Sequence, residues 1–254
     1  MTPLAVRLGQ VGVLVVGLGL WQGLALWAGP SFLPGPKETA LILQEGLVDG
    51  WVTENLAVTL KEVAWGYLWA VAAGLVVGFL LGISPLLRDA FEGPILSLSA
   101  IPKVTLFPIF LFLFRLGPES KIAFGAFHGV FPVAILTWGA MAAIKPVHLK
   151  VARALRLNSL QLFRSVVVPS ILPSLMTGLR LGFNLTFLGV ILGEMFGARR
   201  GLGFLLMSFG AAFDMGKTLV VIGTVAVMAM AVNGALYMME RRLGREAEAG
   251  AAVL

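Results

Sequence analysis

KPVHLKVARALRLNSLQLFRSVVVPS, residues 145–170, is the stretch on which the fold turns. It carries Lys145, Lys150, Arg153, Arg156 and Arg164 with His148 and no acid. Its apolar residues fall into two short amphipathic pieces, Val147 to Leu157 and Ser159 to Val168, parted at Asn158. Each is too short to cross a bilayer, which takes about 20 apolar residues. The insertion also exceeds the usual connection between bundled helices, about two to eight residues. Two short helices with Val151, Leu155, Leu160, Leu162 and Phe163 to bury make a knob for helix-in-groove docking. From periodicity alone, a solvated basic loop resting on anionic headgroups stands level with that reading.

Outward from this insertion the chain is grease. Its 254 residues are 58% hydrophobic and 13% charged, with a mean hydropathy of +0.93. A soluble domain holds about 25% charged and 45–50% apolar residues, so lipid is the solvent this composition fits. The predicted architecture is an all-α membrane protein, a single transmembrane domain over residues 1–254. Six crossings are expected at about 5–28, 58–83, 91–116, 121–144, 171–196 and 217–239, with the insertion at about 145–170 between the fourth and fifth. The first apolar run continues through Trp21 and Trp27, beyond the 7–15 residues of a secretory signal core, and is read as a spanning helix. Residues 29–56, with Pro30, Pro34, Pro36 and four acids, read as an exposed, partly helical loop. Small residues Ala64, Gly66, Ala70, Gly74, Gly78 and Gly82 mark the second crossing as one that packs against protein. Pro94, Pro102 and Pro108 interrupt the third. The apolar stretch Phe204 to Phe213 is too short to cross and is expected to be re-entrant or interfacial.

Charge sets the orientation. With six crossings both termini share one side, and placing them in the cytoplasm puts Arg7, Arg88, the basic insertion, Arg241, Arg242 and Arg245 inside, with the acid-rich first loop outside. Arg199 and Arg200 count weakly against this. The net charge of +6 and pI near 10.1 follow from loop cations. Nucleic-acid binding is not expected, because the cations do not gather on one solvated surface beside stacking aromatics. Zero cysteines exclude disulfide and thiolate-metal chemistry. No phosphate loop of the Gly-x-x-x-x-Gly-Lys-Ser/Thr type occurs, and no Ser-His-Asp set or paired acids at helical spacing lie within the spans, so no catalytic, cofactor or metal site is expected in this chain.

The stretch from Val151 through Phe163 to Val168-Pro-Ser-Ile-Leu-Pro173 resembles the cytoplasmic coupling loop of bacterial ABC importer permeases. Ile101-Pro-Lys-Val-Thr-Leu-Phe-Pro108, Gly117-Pro-Glu-Ser-Lys121 and Gly193-Glu-Met-Phe-Gly-Ala-Arg-Arg-Gly-Leu-Gly203 are similar to the nitrate, sulfonate and taurine branch of that family, so the likeness runs from about Val58 onward. The resemblance implies a dimer of permease subunits in the bacterial inner membrane. It also implies a separate cytoplasmic ATPase that binds ATP and Mg, and an extracytoplasmic solute-binding protein. On this pattern Val151, Ala152, Arg153, Ala154 and Leu155 match the first coupling helix and Asn158 the turn. Gln161, Leu162 and Phe163 match the second helix, and Pro169 and Pro173 its exit. Two positions depart from the family pattern. Lys150 stands where the family has Glu, which implies an acidic or neutral partner surface, impaired coupling, or the degenerate half of a heterodimer. Arg156 stands where the family has Gly, so the bend is expected to be reshaped or to move to Asn158, which tolerates left-handed backbone.

The implied solute is small, polar and anionic. A thiamine precursor, riboflavin or an aromatic acid are the alternatives within the family, and a stand-alone channel, an ion-coupled transporter or a membrane scaffold are those outside it. Lys103 and Glu194 are candidate path or gate residues. Against that, Glu194 is expected to pair with Arg199 or Arg200, Lys103 to snorkel or to bond backbone, and His128 to serve helix packing. Glu194 reads as the one acid deep in an apolar run.

Overall fold

A computed structural model describes residues 3–29 and 32–251. Among these residues every regular element is helical. α1 (Pro3–Ala28) leans on α2 (Pro36–Val48), with Trp21 Nε1 donating to Pro34 O at 3.1 Å. The centre is a three-helix layer of α3 (Trp51–Ile83), α6 (Pro118–Ala142) and α9 (Val168–Gly197). Glycine makes this layer possible. A Cβ on Gly74 of α3 would lie 2.6 Å from Val133 Cβ on α6, and one on Gly78 would lie 2.6 Å from Thr137 Cβ, so the backbones meet at spacings no larger residue allows. Successive contacts advance in step, Gly66 with Ile122, Gly74 with Val133 and Gly78 with Thr137. α3 and α6 are therefore parallel. α9 runs the other way, with Gly182 at Val133 and Gly193 at Lys121. Hence Trp51, Pro118 and Gly197 mark one end of the bundle, and Ile83 and Ala142 the other.

Five helical runs are long and apolar enough to cross a membrane, and a bent pair makes a sixth. The pair is α4 (Pro85–Ala100) and the segment Lys103–Phe114, a 3-10 turn leading into α5 (Phe107–Phe114), which meet at 91°. The third crossing, expected over 91–116 with interruptions at its prolines, is thus broken at Pro102 and begins earlier, at Pro85. Pro102 has no N–H to give and pushes Ile101 out of helical backbone, to ψ 137. The second crossing begins at Trp51, seven residues earlier than expected, because the acid-bearing first turns continue straight into the apolar run.

The basic insertion differs from expectation in its second half. α7 (Pro146–Ala154) is a free short helix. α8 (Ser159–Leu162) is not, because it passes through a π-turn at Phe163–Val167 directly into α9 to give one helical run, Ser159–Gly197, of 39 residues. Pro169 lies just after the π-turn, within the first turn of α9. Such single-turn widenings are a recognised way of absorbing irregularity within a helix.

The bend is also not where the sequence argues for it. Arg156 itself takes the left-handed conformation, φ 51°, while Asn158 stays extended at φ −73° and caps α8. Leu157 N–H bonds Ala152 O at 3.1 Å and Arg156 N–H bonds Arg153 O at 3.0 Å. That is the paired-bond helix end in which glycine is normally favoured. The two hydrogen bonds outweigh a steric cost of about 1–2 kcal/mol for an L-residue. Arg156→Gly is therefore expected to stabilise the protein by about 0.5–1 kcal/mol, the relieved steric cost less the backbone entropy of glycine, read as a small rise in thermal midpoint.

α10 (Leu202–Ala211) starts inside the bundle and reaches the end marked by Trp51, where Phe209 meets that ring edge-on at 5.3 Å between ring centroids. It does not cross. α11 (Met215–Ala251) packs on α9, α10 and α2.

Candidate functional site

Two constellations stand out, at opposite ends of the bundle. The first is the basic insertion. In α7, Val147, Val151 and Leu155 recur every four residues and are all exposed, Leu155 to 67%, while Ala152 on the other side is buried. An apolar stripe that turns away from its own protein, with Leu160 extending it, is left for something else to cover. Lys150, Arg153, Ala154, Arg156 and Arg164 are exposed around it. The turn that follows is held by a reciprocal capping box: Gln161 N–H donates to Asn158 Oδ1 at 2.8 Å, and Asn158 N–H to Gln161 Oε1 at 2.9 Å. Leu162 is half-buried. Phe163 stacks edge-on against Phe79 of α3, 5.6 Å between centroids, tying the insertion to the far end of a second spanning helix. Pro169 and Pro173 are exposed near the start of α9. The insertion is thus gripped by α9 covalently and by α3 through one aromatic contact.

The second constellation is polar and buried. Glu194, 0% exposed, does not pair with Arg199 or Arg200, which are both exposed. Its carboxylate takes Gly203 N–H at 2.7 Å and the Thr59 hydroxyl at 2.7 Å. Thr59 Oγ1 in turn accepts Leu202 N–H at 2.8 Å, and Asn55 Oδ1 accepts Gly201 N–H at 2.7 Å. Three consecutive N–H groups at the start of α10 are therefore satisfied by side chains of α3 and α9. Those groups have no partner within their own helix and carry its positive end, which a carboxylate complements. Gly201 is required here, since its φ of 109° and a carboxylate oxygen 2.6 Å from any added Cβ leave no room for a side chain.

Lys121, 1% exposed, completes the cluster. Its ammonium donates to Leu116 O at 2.8 Å, to Gly117 O at 3.0 Å and to Gly197 O, which closes the last turn of α9 onto the first of α6. Glu62, 5% exposed, lies within Coulombic reach of both Lys121 and Glu194, and its Oε2 has no hydrogen-bond partner. Glu194 is thus not the one deep acid. Asn55 escapes a sequence reading because it falls in the expected loop 29–56, and Thr59, Glu62 and Lys121 because they sit in the first turns of expected crossings, where polar residues look interfacial. The spacing of Asn55, Thr59 and Glu62, i, i+4 and i+7 along one face, is the signal that finds them.

Lys103 does not join this cluster. Its Nζ donates to Ser99 O at 2.7 Å and lies 5.0 Å from the Phe131 ring centroid, so it closes the open carbonyl end of α4 at the break. His128 Nδ1 pairs with Phe124 O at 2.9 Å inside α6.

Residues 70–245 match the family described as binding-protein-dependent transport system inner membrane component. The chain is 29% identical over 241 residues to the taurine transport system permease protein TauC of Escherichia coli K12, covering 92% of this chain and 87% of that one. It is 26% identical to the putative aliphatic sulfonates transport permease protein SsuC of Bacillus subtilis 168, with 89% and 83% covered. To the nitrate import permease protein NrtB of Synechococcus elongatus it is 27% identical, with 78% and 75% covered. Among solved structures, a chain of the inward-facing MetNI methionine ABC transporter superposes with a TM-score of 0.65 at 18% identity, over 80% of this chain and 98% of that one. That likeness shows the fold.

Proposed function

Because the chain belongs to the binding-protein-dependent transport system inner membrane component family, the membrane subunits of ABC importers, we propose that it imports a small oxyanion-bearing solute of the sulfonate, taurine or nitrate class. In this reading it works as a dimer in the bacterial inner membrane, with both termini in the cytoplasm. A separate ATPase binds ATP and Mg and docks on residues 145–170, and a solute-binding protein delivers cargo at the opposite end. The supporting observation is the outward-facing stripe Val147, Val151 and Leu155 on a rigidly capped insertion inside the matched residues.

The mechanics follow from what holds the insertion. A nucleotide-driven closure that moves α7 and the capped turn is transmitted through Phe163 to α3 and along the unbroken helix to α9. At the far end of α9 lie Glu194 and the carbonyl of Gly197, which tie α9 to α3, α10 and α6. Glu194 therefore acts as a gate element by holding three helix ends together on the side away from the ATPase. Lys150 and Arg156 place positive charge beside the docking stripe and select an acidic partner surface.

Reconstitution with ATPase and binding protein in proteoliposomes, using labelled taurine and nitrate as probes, tests the reading. Uptake of either that requires ATP on the side of residues 145–170 supports it. Uptake by the lone chain without ATP makes the protein a channel instead.

A further inference from the structure

Arg180 reads in sequence as lying near the start of the fifth crossing. The structure sets it between Gly178 and Gly182, which meet Pro132 and Val133 near the middle of α6. Its neighbour Leu179 accepts the hydroxyl of Tyr67, which is itself central in α3. A guanidinium at that depth is costly unless it meets water, an anion or a counter-charge. Glu240 of α11 supplies only part of this. Arg180 Nη1 lies 3.2 Å from Glu240 Oε2, yet that oxygen is buried without a hydrogen-bond partner, so the pair is close but misaligned. Among the described residues no protein acceptor takes the guanidinium N–H groups in a hydrogen bond.

One turn along the same face is Asn184, exposed, with its Oδ1 taking Asn233 Nδ2 of α11 at 2.7 Å. No acceptor among the described residues takes the Asn184 amide nitrogen. Thr177 precedes the pair on the same face, and Leu181 and Leu188 flank it. A lipid-facing surface at this depth is expected to be apolar throughout. This one carries a guanidinium with a single carboxylate neighbour and two amides.

We propose that Arg180, Asn184 and Asn233 form an oxyanion-contacting station on the translocation path. This deepens the importer reading and rests on it. The planar guanidinium presents parallel N–H donors that match the oxygens of a sulfonate or nitrate, and the free Asn184 amide adds another. Glu240 holds the guanidinium loosely while no anion is present and releases it to the solute. Carboxylate and solute thus compete for the same donors, which keeps the station from trapping its cargo.

The absence of cysteine makes the test direct. In sealed vesicles holding the assembled transporter, Asn184→Cys and Asn233→Cys are exposed to two membrane-impermeant methanethiosulfonates, one carrying a sulfonate and the other a trimethylammonium. Val13→Cys on α1 is the lipid-facing control. Both station variants are expected to react and the control is not. The anionic-to-cationic rate ratio should fall by about tenfold when Arg180→Gln is added, the loss of one focusing charge, and should persist with Arg180→Lys. Three results overturn the station: silence of both variants, an unchanged ratio in Arg180→Gln, or spontaneous disulfide linkage of the Asn184→Cys variant to a second copy. Accessibility needs neither solute nor ATP. Failure here with an ATPase still co-purifying removes the station alone, whereas loss of the ATPase removes the importer reading.

Discussion

Lys121→Met is expected to destabilise the protein by about 3–5 kcal/mol, the cost of breaking a buried charge set by removing one partner. The ammonium is the cation that faces both Glu62 and Glu194, and all three side chains are nearly inaccessible. Without it two acids face each other in a low-dielectric interior, and the carbonyls of Leu116, Gly117 and Gly197 lose their donor. The measurement is thermal unfolding of the purified protein in detergent, where a loss of this size corresponds to about 6–20 °C for a domain of this length. Lys61→Met, one residue from Glu62 but exposed, serves as the control and should stay within about 0.5 kcal/mol. Equal midpoints for Lys121→Met and Lys61→Met would show that the cluster does not hold α6 to α9.

Leu155→Asp should leave the fold intact and abolish transport. Leu155 is 67% exposed at the end of α7, so an acid there costs the isolated chain little. In a docked complex it sits in the apolar stripe with Val147 and Val151, and a central apolar anchor of this kind is worth about 2 kcal/mol or more on truncation. Burying an unpaired carboxylate adds to that cost. ATPase affinity is therefore expected to fall by about 100-fold, with ATP-driven uptake lost and the thermal midpoint of the lone chain unchanged. Phe163→Asp differs in kind. It removes the ring stacked on Phe79, so it should weaken both docking and the connection to α3. Uptake at wild-type rates in Leu155→Asp rules out a docking role for this face.

The parts of this molecule legible in sequence are those written as contrast. The basic insertion is visible because it interrupts grease, and the tight helix layer is visible in the small residues of α3. What stays hidden depends on partners far apart in the chain. Nothing between Phe163 and Pro169 announces that a capped helix continues into the next crossing, because proline usually marks a boundary and here follows a π-turn that absorbs it. Arg156 is hidden for a different reason. Steric preference argues against a left-handed arginine, but two backbone hydrogen bonds closing α7 prevail. Arg199 and Arg200 lie close to Glu194 in sequence and invite an ion pair, yet the Gly203 N–H of α10 and the Thr59 hydroxyl take its carboxylate. Charge neighbours along a chain are a weaker guide than helix ends in need of acceptors.

Cross-linking at Leu155 decides whether an ATPase docks on the basic insertion. With no other cysteine in the chain, Leu155→Cys carries a single thiol, and a short thiol-to-amine cross-linker in inside-out vesicles reports what lies against it. A covalent adduct to the ATPase subunit is expected in high yield, changed in rate by ATP with vanadate and absent when the thiol is placed at Phe213 near the opposite end. An adduct to lipid or to nothing at Leu155, while ATP-driven uptake continues, contradicts it.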